Sequence, residues 1–505
     1  MSTRIPYSLG CHACRRMKIK CDEKKPQCGR CTKAHRVCPG YRDNNQVIFR
    51  SMNARLASKS RTSRSSRIHT TITAPNHIVA SVASVSCAPR LLTQPSEKWD
   101  TKAISHFLHN YSFASTKDSP GYLGFLPDLL GSNLNVRYLE SAVLAAGFAS
   151  IANITGFSHL ERTAEKHYGE TLRSISIALK DLSEASSDPA LAAIIVFQMY
   201  EVIIGVTSGS SDPHQKGLIE LSRLRGNARL STGSGNDVLQ IIHSRALINS
   251  IGGLCPSPIE AGYDIRPVDS STHQSELWRL MRETSQCCVE TQAIVLVLRK
   301  GIFKSEIIKS LDQLFSAYLS LLSWGAASPS RWSYRSCKIP TGDENDSQQG
   351  TFPEKYHLFK NMHHGATWIN FWCTLIYALQ TLLYVSTRPI IQHIFTQGPH
   401  LAWDFRTRLR DAVDEICACV PYMMADVNQL GLPTVGEYGK ALGSYFLLRE
   451  LYVASCIDEL TSVQREYMMR TFLRIAHVKG IKLALRPRNR WLSQHGGSVA
   501  PDHLM

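Results

Sequence analysis

Cys11, Cys14, Cys21, Cys28, Cys31 and Cys38 stand in the pattern C-x2-C-x6-C-x6-C-x2-C-x6-C, the densest concentration of reactive side chains in the chain. Moving the first three forward by seventeen positions lands on the last three (11 to 28, 14 to 31, 21 to 38), so the stretch is a duplicated half-motif with near two-fold geometry. Thiolates favour soft or borderline metals, and structural zinc takes four ligands in a tetrahedron. Six sulfurs would fill one such site and strand two. Two zinc ions need eight ligand positions, so two thiolates must bridge, and the two-fold makes those bridges an equivalent pair. The arithmetic does not choose the pair. A disulfide knot would need an oxidising compartment. The opening residues MSTRIPYSLG lack the apolar run of a secretory signal, and the other nine of the 15 cysteines are scattered like buried thiols. Zinc is the expected occupant.

The stretch CHACRRMKIKCDEKKPQCGRCTKAHRVC resembles the fungal zinc binuclear cluster DNA-binding domain, whose six-cysteine pattern it matches without a gap. That resemblance implies two Zn2+ ions per chain, with Cys11 and Cys28 as the bridges and a short helix opening at each C-x2-C. Thiolates near helix N-termini are favoured by the helix dipole. Pro26 falls where the family carries a proline in the loop joining the halves. The resemblance also implies double-stranded DNA as partner, with Lys18 reading a guanine-rich triplet, typically CGG. Guanine O6 and N7 both accept hydrogen bonds that a lysine ammonium can donate. Arg15, Arg16, Lys20, Lys25, Lys33 and Arg36 are cast as phosphate contacts, which position without specifying sequence. Met17 stands where the family often has arginine, so one backbone contact is expected to be missing.

Charge and composition frame this module. The net charge is +16, and residues 1–67 hold 17 Lys/Arg against 3 Asp/Glu while the remaining 438 residues are nearly balanced. Such asymmetry points to a polyanion gripped by one end of the molecule. The organisation expected is a zinc cluster domain over 8–42, a disordered basic Ser/Arg-rich linker over 43–96, and a large all-α domain over 97–490. In the linker, SKSRTSRSSR has no acid to balance its cations and too little apolar surface to fold alone. It fits a nuclear localisation signal or sliding contact with DNA, and Ser63 and Ser66 are candidate phosphorylation sites. Phe49, Met52 and Leu56 share a helical face that ends at Lys59, short of the three or four heptads a coiled coil requires. A homodimer, if formed, is not expected to use a zipper there.

Beyond Glu97 helical periodicity dominates. Ser158 and Glu161 read as a capping box, followed by a stripe of Tyr168, Leu172, Ile175, Leu179 and Leu182. Asp188 reads as an N-cap before Pro189, opening a helix apolar all round. Thr461 and Gln464 read as a second capping box, before a long helix ending at Arg486-Pro487. No sheet is expected. Residues 361–387 contain no Asp, Glu, Lys or Arg and are long enough to span a bilayer, but interspersed polar residues favour a buried core helix and no membrane partner. GYLGFLPDLL, DPALAAIIVFQMYE, HQKGLIELSRLRG, CVPY and SYFLLRELYVAS resemble, in order, segments of the helical regulatory domain that follows this kind of zinc cluster in fungal transcription factors. Arg449-Glu450 departs from the tryptophan and proline common there, which argues against a tight turn.

No nucleophile elbow, zincin motif, Walker loop or dinucleotide fingerprint occurs, and a non-enzyme is expected. His363-His364 reads as a polar helix start, and Asp414-Glu415, Asp458-Glu459 and the Cys417/Cys419 pair point apart on helices. The Asn153-Ile154-Thr155 sequon has no role in a nuclear protein. The function expected is therefore a sequence-specific nuclear transcription factor for RNA polymerase II genes. Its helical bulk would receive coregulators, and the family resemblance alone implies a secondary-metabolite biosynthetic gene cluster as its target. Nutrient-utilisation genes, or a zinc-dependent interaction or RNA-binding role, are the alternatives.

Overall fold

The computed structural model describes residues 11, 13–14, 17, 19–24, 27–34, 36 and 38, then 98–494 except 117–120, 133–135, 207–212, 226–232, 252–271, 298–303, 340–351, 389–397 and 435–438. The chain divides into two compact units, Met1–Leu92 and Thr93–Met505. The apolar stripe around Phe49, the basic Ser/Arg stretch and Pro26 lie outside the described residues.

In the first unit, helix α1 (Gly29–Lys33) starts immediately after Cys28. Residues 13 and 14 are also helical, within the equivalent half of the repeat. The buried interior of this unit consists of cysteines with Ala13. Sulfur contacts therefore replace the aliphatic packing that so short a segment cannot supply.

The second unit is overwhelmingly helical. Its elements run α2 (Trp99–Tyr111), α3 (Leu126–Gly131), α4 (Arg137–Thr155), α5 (Ser158–Ala178), α6 (Leu182–Ala185), α7 (Asp188–Ile204), α8 (Pro213–Arg225), α9 (Gly233–Ser250), α10 (His273–Val297) and α11 (Lys304–Ala326). A two-stranded antiparallel sheet follows, β1 (Arg335–Lys338) with β2 (Lys355–Leu358), in the register Ser336 opposite His357. The chain continues with α12 (Met362–Ser386), α13 (Gly398–Met423), α14 (Ala441–Ser455), α15 (Ser462–Val478), a single 3-10 turn at Lys482–Ala484, and α16 (Leu485–Gln494).

Two helices organise this core. The first, α7, is buried on almost every side, from Pro189 through Tyr200 to Ile203, and packs on α4. The second, α12, is the charge-free stretch, with 78% of its most apolar window buried against protein. Helices α10, α11, α13 and α14 enclose it. Apolar burial on this scale, at about 25 cal/mol per Å2, is the main source of the domain's stability.

Local signals hold at some ends and shift at others. Thr461 and Gln464 make the expected reciprocal capping box. Ser187, not Asp188, caps α7 by accepting from the Ala190 N–H, and Asp188 inside the first turn instead pairs with Arg225. The expected box at Ser158 is absent: Phe157 is the N-cap and makes no side-chain bond, while Glu161 meets Lys482 Nζ at 3.5 Å. The buried face of α5 is Leu160, Ala164, Thr171 and Ile175, with Leu172, Leu179 and Leu182 exposed. Tyr168, in the same stripe, is half-buried and stacks on both Phe197 and Tyr200. The final long helix is also two helices. It stops at Val478 because Gly480 adopts φ +71°, a left-handed turn that ends an α-helix. Arg449 and Glu450 continue α14 without interruption, as their departure from tryptophan and proline requires.

Candidate metal centre and its surroundings

Local hydrogen bonding builds the centre from the C-x2-C pairs. Cys28 is the N-cap of α1, and its Sγ accepts the Cys31 N–H at 3.2 Å. Seventeen residues earlier, Cys11 Sγ accepts the Cys14 N–H at 3.4 Å. Sulfur thus takes the capping role that a serine or aspartate oxygen usually fills, and a thiolate there meets the positive end of the turn. The repeat continues outward. Cys11 N–H donates to Cys21 Sγ at 3.4 Å, and Cys28 N–H to Cys38 Sγ at 3.5 Å. Ile19 N–H reaches Cys14 O and Arg36 N–H reaches Cys31 O, each at 3.0 Å. These matched bonds, related by one and the same offset, establish the pseudo-two-fold that the spacing implies.

The sulfurs fall into two groups of four, Cys11/Cys14/Cys21/Cys28 and Cys11/Cys28/Cys31/Cys38, each with all ligand atoms within 4.8 Å of one another. Cys11 and Cys28 belong to both. A tetrahedron with zinc–sulfur bonds of about 2.3 Å has edges of about 3.8 Å. The Sγ separations are 3.6 Å for Cys11–Cys28 and 3.8 Å for both Cys11–Cys31 and Cys14–Cys28. Donor type, number and spacing therefore suit two tetrahedral sites sharing an edge. The geometry supplies the bridging pair that cysteine arithmetic leaves open. All described cysteines are free thiols, with no disulfide among them.

Burial pushes the Cys14 thiol up to about 12. At Cys21 burial acts in the same direction, but backbone N–H groups of Cys11 and Glu23 outweigh it and bring the thiol to about 7. Metal binding here displaces protons from at least some of the sulfurs.

Around the cluster, Lys20, Lys33 and Arg36 are exposed. Arg15, Arg16, Lys18 and Lys25 lie outside the described residues. Arg30 Nη1 donates to the Lys20 carbonyl at 2.9 Å, tying one half of the repeat to the other. Met17 is exposed, and the Arg36 guanidinium contacts its sulfur at 2.6 Å. Asp22, which sequence reasoning passed over, accepts the Gly29 N–H at 3.0 Å. A Cβ on residue 29 would stand 2.6 Å from Asp22 Oδ2, so only glycine admits this contact.

Residues 9–46 match the family model of the fungal Zn(2)-Cys(6) binuclear cluster domain. The N-terminal module is a fungal zinc binuclear cluster domain. Such a domain binds two zinc ions, in agreement with the two overlapping sulfur tetrads. Among curated proteins, "Transcriptional regulatory protein moc3" of Schizosaccharomyces pombe is 62% identical over 39 residues, 8% of this chain and 8% of that protein. The "Peroxisome proliferation transcriptional regulator" of Saccharomyces cerevisiae is 54% identical over 35 residues, 7% of this chain and 4% of its own. "Transcription factor dbaG" of Emericella nidulans is 20% identical over 396 residues, 75% of this chain and 89% of that protein. The first two matches are confined to the cluster domain's length, whereas the third extends through the helical unit. No solved structure matches the chain.

The other sequence candidates resolve into structural roles. His364 is buried against Trp332, and its backbone N–H is capped by Asn361 Oδ1 at 2.9 Å. Burial, and then the neighbouring His364, holds His363 down to about 3. The pair opens a helix as expected, but inside the fold. Asn153, the sequon residue, donates from Nδ2 to the carbonyls of Ile203 and Gly480, each at 2.8 Å, and so joins α4 to the ends of α7 and α15. Cys417 and Cys419 are buried in the core.

One constellation was not visible in the sequence. Ser336 Oγ lies 3.2 Å from His357 Nδ1, and His357 Nε2 lies 2.6 Å from Glu415 Oε2. The order Ser-His-carboxylate is that of a hydrolase triad. Here Ser336 and His357 are cross-strand partners, and Lys355 Nζ also holds Glu415, at 2.5 Å. The cluster fastens the hairpin to α13. Only the alternation of a short strand and the carboxylate of Asp414-Glu415 hint at it in sequence.

Proposed function

We propose that this chain is a sequence-specific transcription regulator that binds double-stranded DNA through its zinc binuclear cluster domain. In this reading Cys11, Cys14, Cys21, Cys28, Cys31 and Cys38 hold two zinc ions, with Cys11 and Cys28 shared. The observation that carries it is the pair of sulfur tetrads with a common edge, set in a stretch that is cationic far beyond the charge of the rest of the chain. In this reading the zinc cluster holds these cations against the duplex, where they neutralise phosphates rather than merely solvate a surface. Lys18 contacts guanine edges of CGG-type half-sites, while Arg15, Arg16, Lys20, Lys25, Lys33 and Arg36 contact phosphates. The relatives' names, all regulators, support the same assignment.

The domains proposed are the cluster over 8–42, the basic linker over 43–96 and the regulatory helical domain over 97–490, in a nuclear protein that catalyses no reaction. Its bulk receives coregulators and its targets are RNA polymerase II genes of a secondary-metabolite cluster. The decisive experiment is a mobility-shift titration of the full chain on a CGG-containing duplex, with random duplex and RNA as competitors. Retention of the CGG complex under excess of both competitors is the expected result. Equal competition by RNA would replace this reading with a zinc-dependent RNA-binding role. Promoter occupancy across the genome then separates secondary-metabolite from nutrient-utilisation targets.

A further inference from the structure

The helical unit encloses a cavity of about 830 Å3, bordered by α7, α9, α10, α12, α14 and α16. This is within the range of pockets that hold small molecules. Its inner wall is aromatic, with Tyr122, Trp278, Tyr445 and Phe446 presenting rings. Tyr122 and Phe446 meet edge to face at 5.1 Å, and the Arg245 guanidinium lies 5.9 Å from the Tyr445 ring centre. Packed rings of this kind give a rigid surface for a flat ligand.

Charge is distributed unevenly over the same wall. Arg245, Arg449, Arg486 and Arg490 border the cavity, against the carboxylates of Glu201 and Glu450. Glu450 is buried at 3% exposure, with Arg449 Nη1 3.4 Å from its Oε1, and Glu201 has His214 Nε2 at 3.4 Å. Burial raises the Glu450 carboxyl above the ordinary range, which subtracts further from the negative side. Whatever hydrogen bonds the guanidiniums make, the formal charge of the lining stays positive. Arg486 and Arg490 are exposed on α16, so they lie toward solvent while the rings lie inward.

We propose that this cavity is a binding site for a small organic acid, a carboxylate carried on an aromatic or fused-ring body. The ring system enters among Tyr122, Trp278, Tyr445 and Phe446, and the carboxylate faces the guanidiniums of α16. A guanidinium fork suits a carboxylate by paired hydrogen bonds, and an apolar acid satisfies both halves of the lining at once. The site is distinct from DNA recognition and is measured without DNA.

The test uses the full, zinc-loaded chain and two fluorescent probes of equal shape, anthracene-9-carboxylate and anthracene-9-carboxamide. The carboxylate is expected to bind with one-to-one stoichiometry and at least tenfold more tightly than the amide. Arg486→Gln with Arg490→Gln, both at exposed positions, should weaken the carboxylate at least fivefold and leave the amide unchanged. Ala366→Trp, on the α12 wall, should abolish both while the far-ultraviolet helical signal stays intact. Absence of carboxylate binding, equal affinity for the two probes, or a double arginine variant that binds as the wild type would each overturn the proposal. Should Ala366→Trp lose its helical signal, the arginine pair still decides.

Discussion

Cys11 and Cys28 belong to both sulfur tetrads, whereas Cys14, Cys21, Cys31 and Cys38 each belong to one. That difference has a measurable consequence. Cys11→Ser takes a ligand from both sites and should leave the module with no stable zinc, while Cys38→Ser should spare the tetrad of the first half and retain about one ion, counted by native mass spectrometry. Equal loss in the two variants would mean that the sulfurs are not shared in this way. The cations proposed to contact DNA divide in a similar manner. Lys18→Ala should lose about 1–3 kcal/mol of discrimination between CGG and altered triplets. Arg36→Ala should weaken every duplex alike and lower the salt slope by about one, both read by titration at several salt concentrations. The six ligands were legible because metal chemistry constrains residue type and spacing together. Asp22 was not, since its use depends on a glycine seven residues away whose missing side chain makes room for it.

Elements were legible where the signal is local. The Thr461 capping box involves four consecutive residues, and α7 and α12 announce themselves by apolar composition alone. The hairpin was not, because Lys355, His357 and Ser336 find their purpose only against Glu415 on α13. Burial acts to raise the Glu415 carboxyl, but hydrogen bonds from His357 and Lys355 outweigh it and hold the group below the ordinary glutamate range. A depressed carboxyl stabilises the fold above its unfolded pKa of about 4.3, and that contribution fades as pH falls through the folded value. Glu415→Gln should therefore be less stable by about 1–3 kcal/mol at neutral pH. The gap to wild type should close below about pH 4, as followed by urea unfolding at a series of pH values. The break at Gly480 was likewise hidden, since one glycine in a periodic stretch reads as a minor defect. Its backbone is left-handed, and a Cβ on residue 480 would stand 2.9 Å from Ile154 Cγ1, which leaves no room for a side chain. Gly480→Ala should cost about 1–2 kcal/mol, measured the same way.

At the scale of the molecule, the two units draw their stability from different sources. The first has an interior of sulfur, and the second has a continuous apolar core built from nearly all its helices. Chelation of zinc should abolish DNA binding and leave most of the far-ultraviolet helical signal unchanged, since the metal contributes folding energy only where its ligands are. Loss of the helical signal in parallel with the metal would show that the two units do not fold independently. The cavity in the helical unit was beyond sequence reasoning, because six helices separated along the chain must first come together before their rings and guanidiniums share a wall.

The matched hydrogen bonds of the two cluster halves carry an implication for engineering. Both arms hang from the same frame, yet only the first bears the run RRMKIK between its second and third cysteines, where the second bears TKAHRV. On the proposed reading, contact with bases is a property of the insert and not of the frame. Exchanging the two six-residue inserts should yield a protein that still takes up its metal, but docks on the duplex turned through a half rotation.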